Sequence, residues 1–185
     1  WKCSFSRHLY VRQVRAGMND TILPSFERVL GPGHPALGDG CGPESRHRYT
    51  FPNGALVVVA GLDRPQRTYS GEYDTVTVFE GTDTTEDAWQ QFKRSLRHGK
   101  MPFSQLRMEC NPDSQSHWIK RRADAGIMTA FYTTHKDNPA YWDEEKGDWT
   151  PQGREYVLGT LASLTGGRRA RLFLGEWVGA EGLIY

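Results

Sequence analysis

The chain has 185 residues and a formal net charge of +1, with 37% hydrophobic and 24% charged residues. These values are typical of one folded globular domain, exclude a disordered chain, and provide no overall electrostatic attraction to nucleic acid. No apolar run approaches the roughly 20 residues that a membrane-spanning helix needs, so no membrane contact is expected. The sparse cysteines form no Cys-x-x-Cys pair, which argues against zinc and suits a reducing intracellular compartment.

The first strand is predicted over residues 8–13, and a short helix follows it up to Leu30. Residues 31–42 are rich in glycine and invite comparison with a phosphate-binding loop. That loop requires the pattern G-x-x-x-x-G-K-[ST] at the start of a helix, and the sequence does not contain it. We therefore predict that residues 31–42 form a flexible connection.

A β-hairpin is predicted next. The turn dipeptide Asn53-Gly54 joins residues 48–51 to the apolar run 55–60, and this dipeptide favours a tight turn between antiparallel strands. Residues 61–68 are then predicted to be an exposed, charged loop.

The central stretch of the sequence places two polar side chains at strand ends. The strand predicted over residues 75–79 is β-branched or aromatic throughout, and it ends on Glu80. A second strand, predicted over residues 105–110, ends on Asn111. Open α/β sheets carry their chemistry at the carboxyl ends of their strands, so we expect a carboxylate and a carboxamide at one sheet edge.

An amphipathic helix is predicted between these two strands. Asp83 or Thr84 can cap its N-terminus, and Gly99 is a plausible stop beyond its C-terminus. Its apolar stripe consists of Ala88, Trp89, Phe92 and Leu96. This stripe predicts that one face of the helix packs on the sheet.

The last third of the chain continues the alternation of strands and helices. A short helix capped by Asp113 or Ser114, a strand over residues 127–132, and a helix from Pro151 to about Leu164 are predicted. This alternation is typical of an α/β sheet in a single domain.

Several short motifs occur in a specific order along the chain. They are Tyr73-Asp74-x-x-x-x-Phe79-Glu80-Gly81, Leu96-Arg97, Cys110-Asn111-Pro112, His117-Trp118, Gly175-x-Trp177 and Glu181-Gly182-x-x-Tyr185. In this order and spacing they resemble the ATPase domain of phage terminase large subunits, the DNA-packaging motors. The resemblance covers nearly the whole chain.

The resemblance implies an α/β fold with three layers, the RecA-like (ASCE) core of P-loop NTPases. It implies that residues 1–185 are a single domain, the C-terminal portion of a terminase ATPase domain that ends before a possible nuclease domain. The phosphate-binding (Walker A) loop would then lie upstream of Trp1. We therefore expect a core that is incomplete at its N-terminus, and a fragment that is inactive by itself.

The resemblance also assigns two central residues. Glu80 corresponds to the catalytic glutamate of the Walker B motif, which orients and deprotonates the attacking water. Asn111 corresponds to the coupling motif, which senses the γ-phosphate and relays hydrolysis to the DNA-moving part. Each has a structural alternative, because a strand-end acid can cap the following helix and an Asn-Pro pair is common in turns.

Arginines and one hydroxyl residue complete the implied site. Arg67 is preferred to Arg64 as the candidate for an arginine that reaches the active site of a neighbouring subunit. Thr82 and Arg12 are the candidates for contact with the nucleotide. The alternatives are a solvated loop position for Arg67 and a structural role for Arg12.

Phe79 departs from the family pattern, because Walker B strands usually place an aspartate there to hold Mg²⁺ through water. The resemblance nevertheless implies ATP and Mg²⁺ as cofactors, with magnesium binding weakened at this position.

The implied partners are double-stranded DNA, the portal protein and the small terminase subunit, with the chain in a homo-oligomeric ring. The implied location is the cytoplasm of the bacterial host, at the viral procapsid during packaging. Two other functions stay open: a non-catalytic α/β module that binds DNA or a partner protein, and a helicase-type motor of the same fold.

Overall fold

The computed structural model describes residues 2–38, 42, 46–63 and 65–178, and for residues 66 and 67 it describes the backbone only. The chain divides into two compact units, residues 1–110 and residues 111–185. Within the described residues, no helix is both long and apolar enough to cross a membrane.

The first unit is built on a mostly parallel sheet. Its strands are β1 (Arg7–Arg12), β2 (Arg48–Thr50), β3 (Leu56–Gly61), β4 (Thr75–Val78) and β5 (Gln105–Met108). They lie in the order β2-β3-β1-β4-β5. The β2–β3 hairpin is antiparallel, and the other described pairs of this sheet are parallel. The strands predicted for this unit are confirmed, with ends that differ by one or two residues.

The helices described in this unit are α1 (Ile22–Leu30), α2 (Pro65–Tyr69) and α3 (Glu86–Ser95), with 3-10 turns at Arg15–Met18, Pro35–Leu37 and Gly81–Asp83. The predicted exposed loop at residues 61–68 is therefore wrong, because α2 begins within it. Proline suits the first position of a helix. Thr68 is also buried, and its hydroxyl donates to the Gly61 carbonyl oxygen at 3.0 Å.

The helices lie on both faces of the sheet. From β1 the chain passes through α1 to β3, whereas from β3 onward it moves the opposite way along the sheet through α2 and α3. Right-handed crossovers in opposite directions place their helices on opposite faces. The predicted three-layer α/β arrangement is thus confirmed.

Aromatic rings connect α1 to the sheet and to the end of β4. The rings of Tyr49, Phe26, Tyr10 and Phe79 follow one another edge to face, with centroid separations of 4.9, 5.5 and 5.3 Å. Such pairs stabilise by about 0.5–1.5 kcal/mol beyond their buried area. The residue before Glu80 is therefore packed against the core.

The N-terminus of α3 begins later than predicted. Thr85 is the N-cap residue, and its hydroxyl accepts a hydrogen bond from the Ala88 backbone N–H at 3.2 Å. The predicted caps at Asp83 and Thr84 are wrong, because Asp83 ends the preceding 3-10 turn and Thr84 follows it directly. The predicted apolar stripe is confirmed, with Phe92 fully buried.

A buried carboxylate joins β1, β4 and the segment before β5. Asp74 is fully buried and accepts backbone N–H groups from Arg7 at 2.9 Å, Lys100 at 2.8 Å and Met101 at 3.1 Å. Burial alone would raise the pKa of Asp74, but these N–H donors lower it below its ordinary value.

His8 lies beside this carboxylate in a buried polar network. Its Nε2 contacts the Ser6 hydroxyl at 2.9 Å, and its Nδ1 contacts the Thr75 hydroxyl at 2.7 Å. Burial lowers the pKa of His8 to about 4, although the charge of Asp74 opposes this effect. The imidazole is therefore neutral in the folded chain at neutral pH.

Acid is expected to destabilise the fold through His8. The unfolded chain takes up a proton near pH 6.5 and the folded chain only near pH 4, so stability falls as the pH falls between these values. We expect a loss of about 3 kcal/mol across this range and a smaller loss in His8→Gln, measured by urea unfolding. The exposed His47→Gln variant is the control. An equal acid response in His8→Gln and the wild type would contradict the prediction.

The second unit is mostly helical and irregular. Its described α-helices and strands are α4 (Trp118–Asp124), β6 (Trp142–Asp143), β7 (Asp148–Trp149), α5 (Pro151–Gly153) and α6 (Gly166–Leu172), with a 3-10 turn at His135–Asp137. A π-helical segment (Arg154–Thr160) and a 3-10 turn (Leu161–Ser163) continue α5, so the predicted long helix is confirmed.

Two predictions for the second unit are wrong. The N-cap of α4 is His117, whose ring accepts from the Ile119 backbone N–H at 3.3 Å, instead of Asp113 or Ser114. Residues 127–132 do not form a strand. Their β-prone side chains are exposed, 63% for Ile127 and 89% for Phe131, and strand propensity alone does not order a segment without a pairing partner.

Candidate active site at the carboxyl ends of the parallel strands

The carboxyl ends of β1, β3, β4 and β5 lie at one edge of the sheet, because these strands are parallel. The chain leaves β1 towards α1 on one face and leaves β4 towards α3 on the other. Open α/β sheets bind ligands in the crevice between two neighbouring strands with such opposite exits. Arg12 ends β1 and Glu80 lies two residues past β4, so both flank this crevice.

Glu80 forms an unusual turn at this edge. Its backbone is left-handed, with φ 52° and ψ 56°, a conformation that costs a non-glycine residue about 1–2 kcal/mol. A Cβ on the next residue, Gly81, would lie 2.8 Å from Met108 Sδ, so the Met108 side chain would have to move to accept it. Strain of this kind is concentrated at functional sites.

Glu109, the residue after β5, binds this turn from the neighbouring strand. The Glu80 backbone N–H donates to Oε1 of Glu109 at 3.1 Å. The Gly81 N–H donates to the backbone carbonyl oxygen of Glu109 at 2.9 Å. These contacts extend the β4–β5 pairing beyond the strands and bring two carboxylates together.

The electrostatics of this edge follow from that proximity. Burial raises the pKa of Glu109, and the negative charge of Glu80 raises it further, while the Glu80 N–H and the charge of Arg12 oppose the rise. Glu109 is exposed as a whole residue, so solvent weakens these effects on its carboxylate. Burial and the same two carboxylates raise the pKa of Cys110 to about 11. The Cys110 thiol is therefore protonated at neutral pH.

The two residues predicted to contact nucleotide lie near this edge. Nη1 of Arg12 donates to the Gly17 carbonyl oxygen at 2.7 Å, which fixes the guanidinium beside the end of β1. Thr82 lies in the 3-10 turn directly after Glu80 and Gly81, and it is partly buried. Their contact with a nucleotide stays a prediction.

Phe79 supplies no polar group to the crevice. Its partly buried ring packs on Tyr10 and against the hydrophobic core. Phe79 therefore has a structural role at the position where Walker B strands usually place a metal-holding aspartate. In the described part of the chain, no three or more His, Cys, Asp or Glu residues are arranged to hold a metal.

The other predicted site residues are only partly described. Arg67 belongs to α2, but its side chain lies outside the described residues, as do Arg64 and the motif at residues 181–185. Asn111 is the first residue of the second unit and is exposed. The roles of these residues stay predictions.

Glu109 was not among the predicted site residues, because the predicted strand over residues 105–110 placed it in the interior of that strand. The pattern of side chains contained a usable signal. Gln105, Arg107 and Glu109 are polar and alternate with Leu106 and Met108, so Glu109 continues the polar row of one face of β5 just beyond its end. A carboxylate at the end of that row belongs to the same edge as Glu80.

Replacing Glu80 with glycine is expected to stabilise the fold by up to about 1 kcal/mol, because glycine adopts the left-handed conformation without strain. Glu80→Ala is the matched control, since it removes the carboxylate but keeps a Cβ. Urea unfolding at pH 7 measures both variants. A glycine variant less stable than the alanine variant would count against strain at this residue.

The fold described above is similar to that of part of a large terminase. The large terminase of a thermophilic bacteriophage superimposes on 96% of this chain with a TM-score of 0.67 and 15% sequence identity, and the matched part is 42% of the terminase chain. The same terminase in complex with ADP gives a TM-score of 0.68 at 16% identity, and in complex with ATP-γ-S 0.66 at 15%.

These similarities confirm, at the level of the fold, the resemblance seen in the sequence motifs. The chain spans about two-fifths of the length of the terminase that it matches. Comparison with protein-family models gave no match, and comparison with curated proteins gave none either.

Proposed function

We propose that the chain is part of the ATPase motor of a phage terminase large subunit, which couples ATP hydrolysis to the packaging of double-stranded DNA into a procapsid. The observation that carries this proposal is the strained Glu80 turn at the crevice between β1 and β4, on a fold shared with a large terminase. A carboxylate at that point is suited to orient a water molecule and accept its proton.

The residues at this edge fit part of a site for ATP and Mg²⁺. The hydroxyl of Thr82 is an oxygen group of the kind that Mg²⁺ binds, and Arg12 is a cation suited to a phosphate. The nucleotide supplies the phosphoryl bond that is broken, and Mg²⁺ neutralises charge on its phosphates. The phosphate-binding loop is proposed to precede Trp1.

Each remaining residue has one proposed role. Glu80 takes the proton of the attacking water, and Asn111 transmits the loss of the γ-phosphate to the DNA-moving part. Arg67 acts on the active site of a neighbouring subunit in a ring, where its charge stabilises the transition state. The proposed partners are double-stranded DNA, the portal protein and the small terminase subunit, at the procapsid in the host cytoplasm.

One observation favours a second function, a non-catalytic α/β module that binds DNA or a partner protein. Phe79 occupies the usual position of a metal-holding aspartate, and its ring packs on Tyr10 against the core. A chain that evolved from a terminase motor and lost nucleotide chemistry would tolerate this change.

The two functions are separated by a test on the full-length protein. The coding sequence upstream of Trp1 is read for G-x-x-x-x-G-K-[ST], and the full-length chain is assayed for ATP binding and for ATP hydrolysis with and without linear DNA. A phosphate-binding loop and DNA-stimulated hydrolysis are expected. A full-length chain that binds DNA but no ATP would replace the motor with the binding module.

A further inference from the structure

We propose that Glu109 is a positioning residue for Glu80. Its carboxylate holds the Glu80 turn in the left-handed conformation and thereby sets the direction of the Glu80 side chain. The catalytic consequence rests on the proposed ATPase function, whereas the contact between the two residues does not.

The backbone hydrogen bonds show why this turn needs a side chain from the end of β5. The Phe79 N–H still donates to the Val11 carbonyl oxygen at 2.8 Å, so pairing with β1 persists up to that residue. The next N–H, that of Glu80, is bonded by the Glu109 carboxylate at 3.1 Å. The N–H of Gly81 donates to a backbone acceptor, the carbonyl oxygen of Glu109. One residue therefore holds two consecutive amides, one of them through its side chain.

The charges of Glu80 and Glu109 indicate that Glu109 has a specific role in addition to packing. Two carboxylates at one edge repel each other, and Glu80 contributes to this repulsion at Glu109. Arg12 opposes it by its charge, while its Nη1 donates to Gly17. An apolar residue at position 109 would avoid the repulsion but would remove the acceptor of the Glu80 N–H, so a side-chain oxygen at this position is explained by that bond.

Amide hydrogen exchange tests the contact without any nucleotide. In Glu109→Ala of the 185-residue chain, we expect the Glu80 amide to exchange about tenfold faster, because its acceptor is lost. The Gly81 amide should change little, since its acceptor is a backbone oxygen. Glu109→Gln keeps a side-chain oxygen acceptor and should remain close to the wild type. Unchanged exchange at Glu80 in Glu109→Ala, or equal acceleration at Glu80 and Gly81, would overturn the proposal.

Turnover by the full-length chain tests the consequence. We expect Glu109→Ala to lower kcat at least about tenfold with little change in the KM for ATP, and Glu109→Gln to restore most of the activity. Glu72→Ala is the control, because it removes an exposed glutamate that pairs with Arg97 at the surface. Equal kcat in Glu109→Ala and the wild type, or no rescue by glutamine, would overturn the positioning role.

The two measurements separate the two ideas. If the full-length wild type does not hydrolyse ATP, the proposed function fails, and the exchange rates alone decide whether Glu109 holds the turn. If it does hydrolyse ATP but the Glu80 amide of Glu109→Ala exchanges at the wild-type rate, the proposed ATPase function is supported and the positioning role of Glu109 is wrong.

Discussion

Glu80→Gln is expected to lower ATP turnover by the full-length chain by about 10²–10⁴-fold, because a carboxamide cannot accept the proton of the attacking water. Glutamine keeps the size of the side chain and leaves the bond from the backbone N–H to Glu109 intact. ATP binding should therefore be preserved. Steady-state hydrolysis and equilibrium binding of labelled ATP measure the two quantities separately.

The matched control is Glu72→Gln, which changes an exposed glutamate in the same unit whose carboxylate pairs with Arg97. This variant should hydrolyse ATP like the wild type. If Glu80→Gln and the wild type turn over at equal rates, Glu80 is not the base and the proposed mechanism is wrong.

Asp74→Ala is expected to destabilise the chain by about 3–5 kcal/mol, which is a large part of the stability of a typical domain. The variant leaves the N–H groups of Arg7, Lys100 and Met101 without the carboxylate that accepts them. Urea unfolding at pH 7 measures the loss. The exposed Asp20→Ala variant, which should change stability little, is the control.

The pH dependence gives a second measure of Asp74. The folded chain holds its pKa below the ordinary value of 3.8, so the stabilisation is fully present above that value and is lost as the pH falls below it. Asp74→Asn should therefore lose less stability than the wild type below about pH 4. If Asp74→Ala were as stable as Asp20→Ala, the buried carboxylate would not be the link that joins these segments.

Elements with strong local signals were predictable from the sequence. The hairpin follows from Asn53-Gly54, and β4 follows from a run of β-branched residues whose side chains are all buried in the structure. The amphipathic pattern of α3 likewise predicted which of its side chains face the core. In each case the residues that determine the element lie within it.

The errors arose where tertiary contacts decide the local structure. Residues 61–68 have the composition of a charged loop, but Thr68 folds back onto Gly61 and α2 forms between the strands. Residues 127–132 have the composition of a strand, but they are not paired in the described structure. Neither outcome is determined by the composition of the segment itself.

Only part of the candidate site was predictable from the sequence. An acid directly after a buried strand indicated Glu80. Its left-handed turn and its bond to Glu109 were not predictable, because the two residues are 29 positions apart and meet through the pairing of Val78 with Met108. A register of that kind is determined by the packing of the whole sheet.

The central position of β1 has a consequence for how the chain folds during synthesis. This strand is made before its neighbours in the sheet, yet His8 pairs with Thr75, which follows 67 residues later. At about 5–20 residues per second, the ribosome needs several seconds to supply β4. During that interval β1 has apolar side chains and unpaired backbone groups that other nascent chains or chaperones can bind. We therefore expect slow translation, or growth at low temperature, to change the yield of folded chain more than it changes the stability of the folded chain.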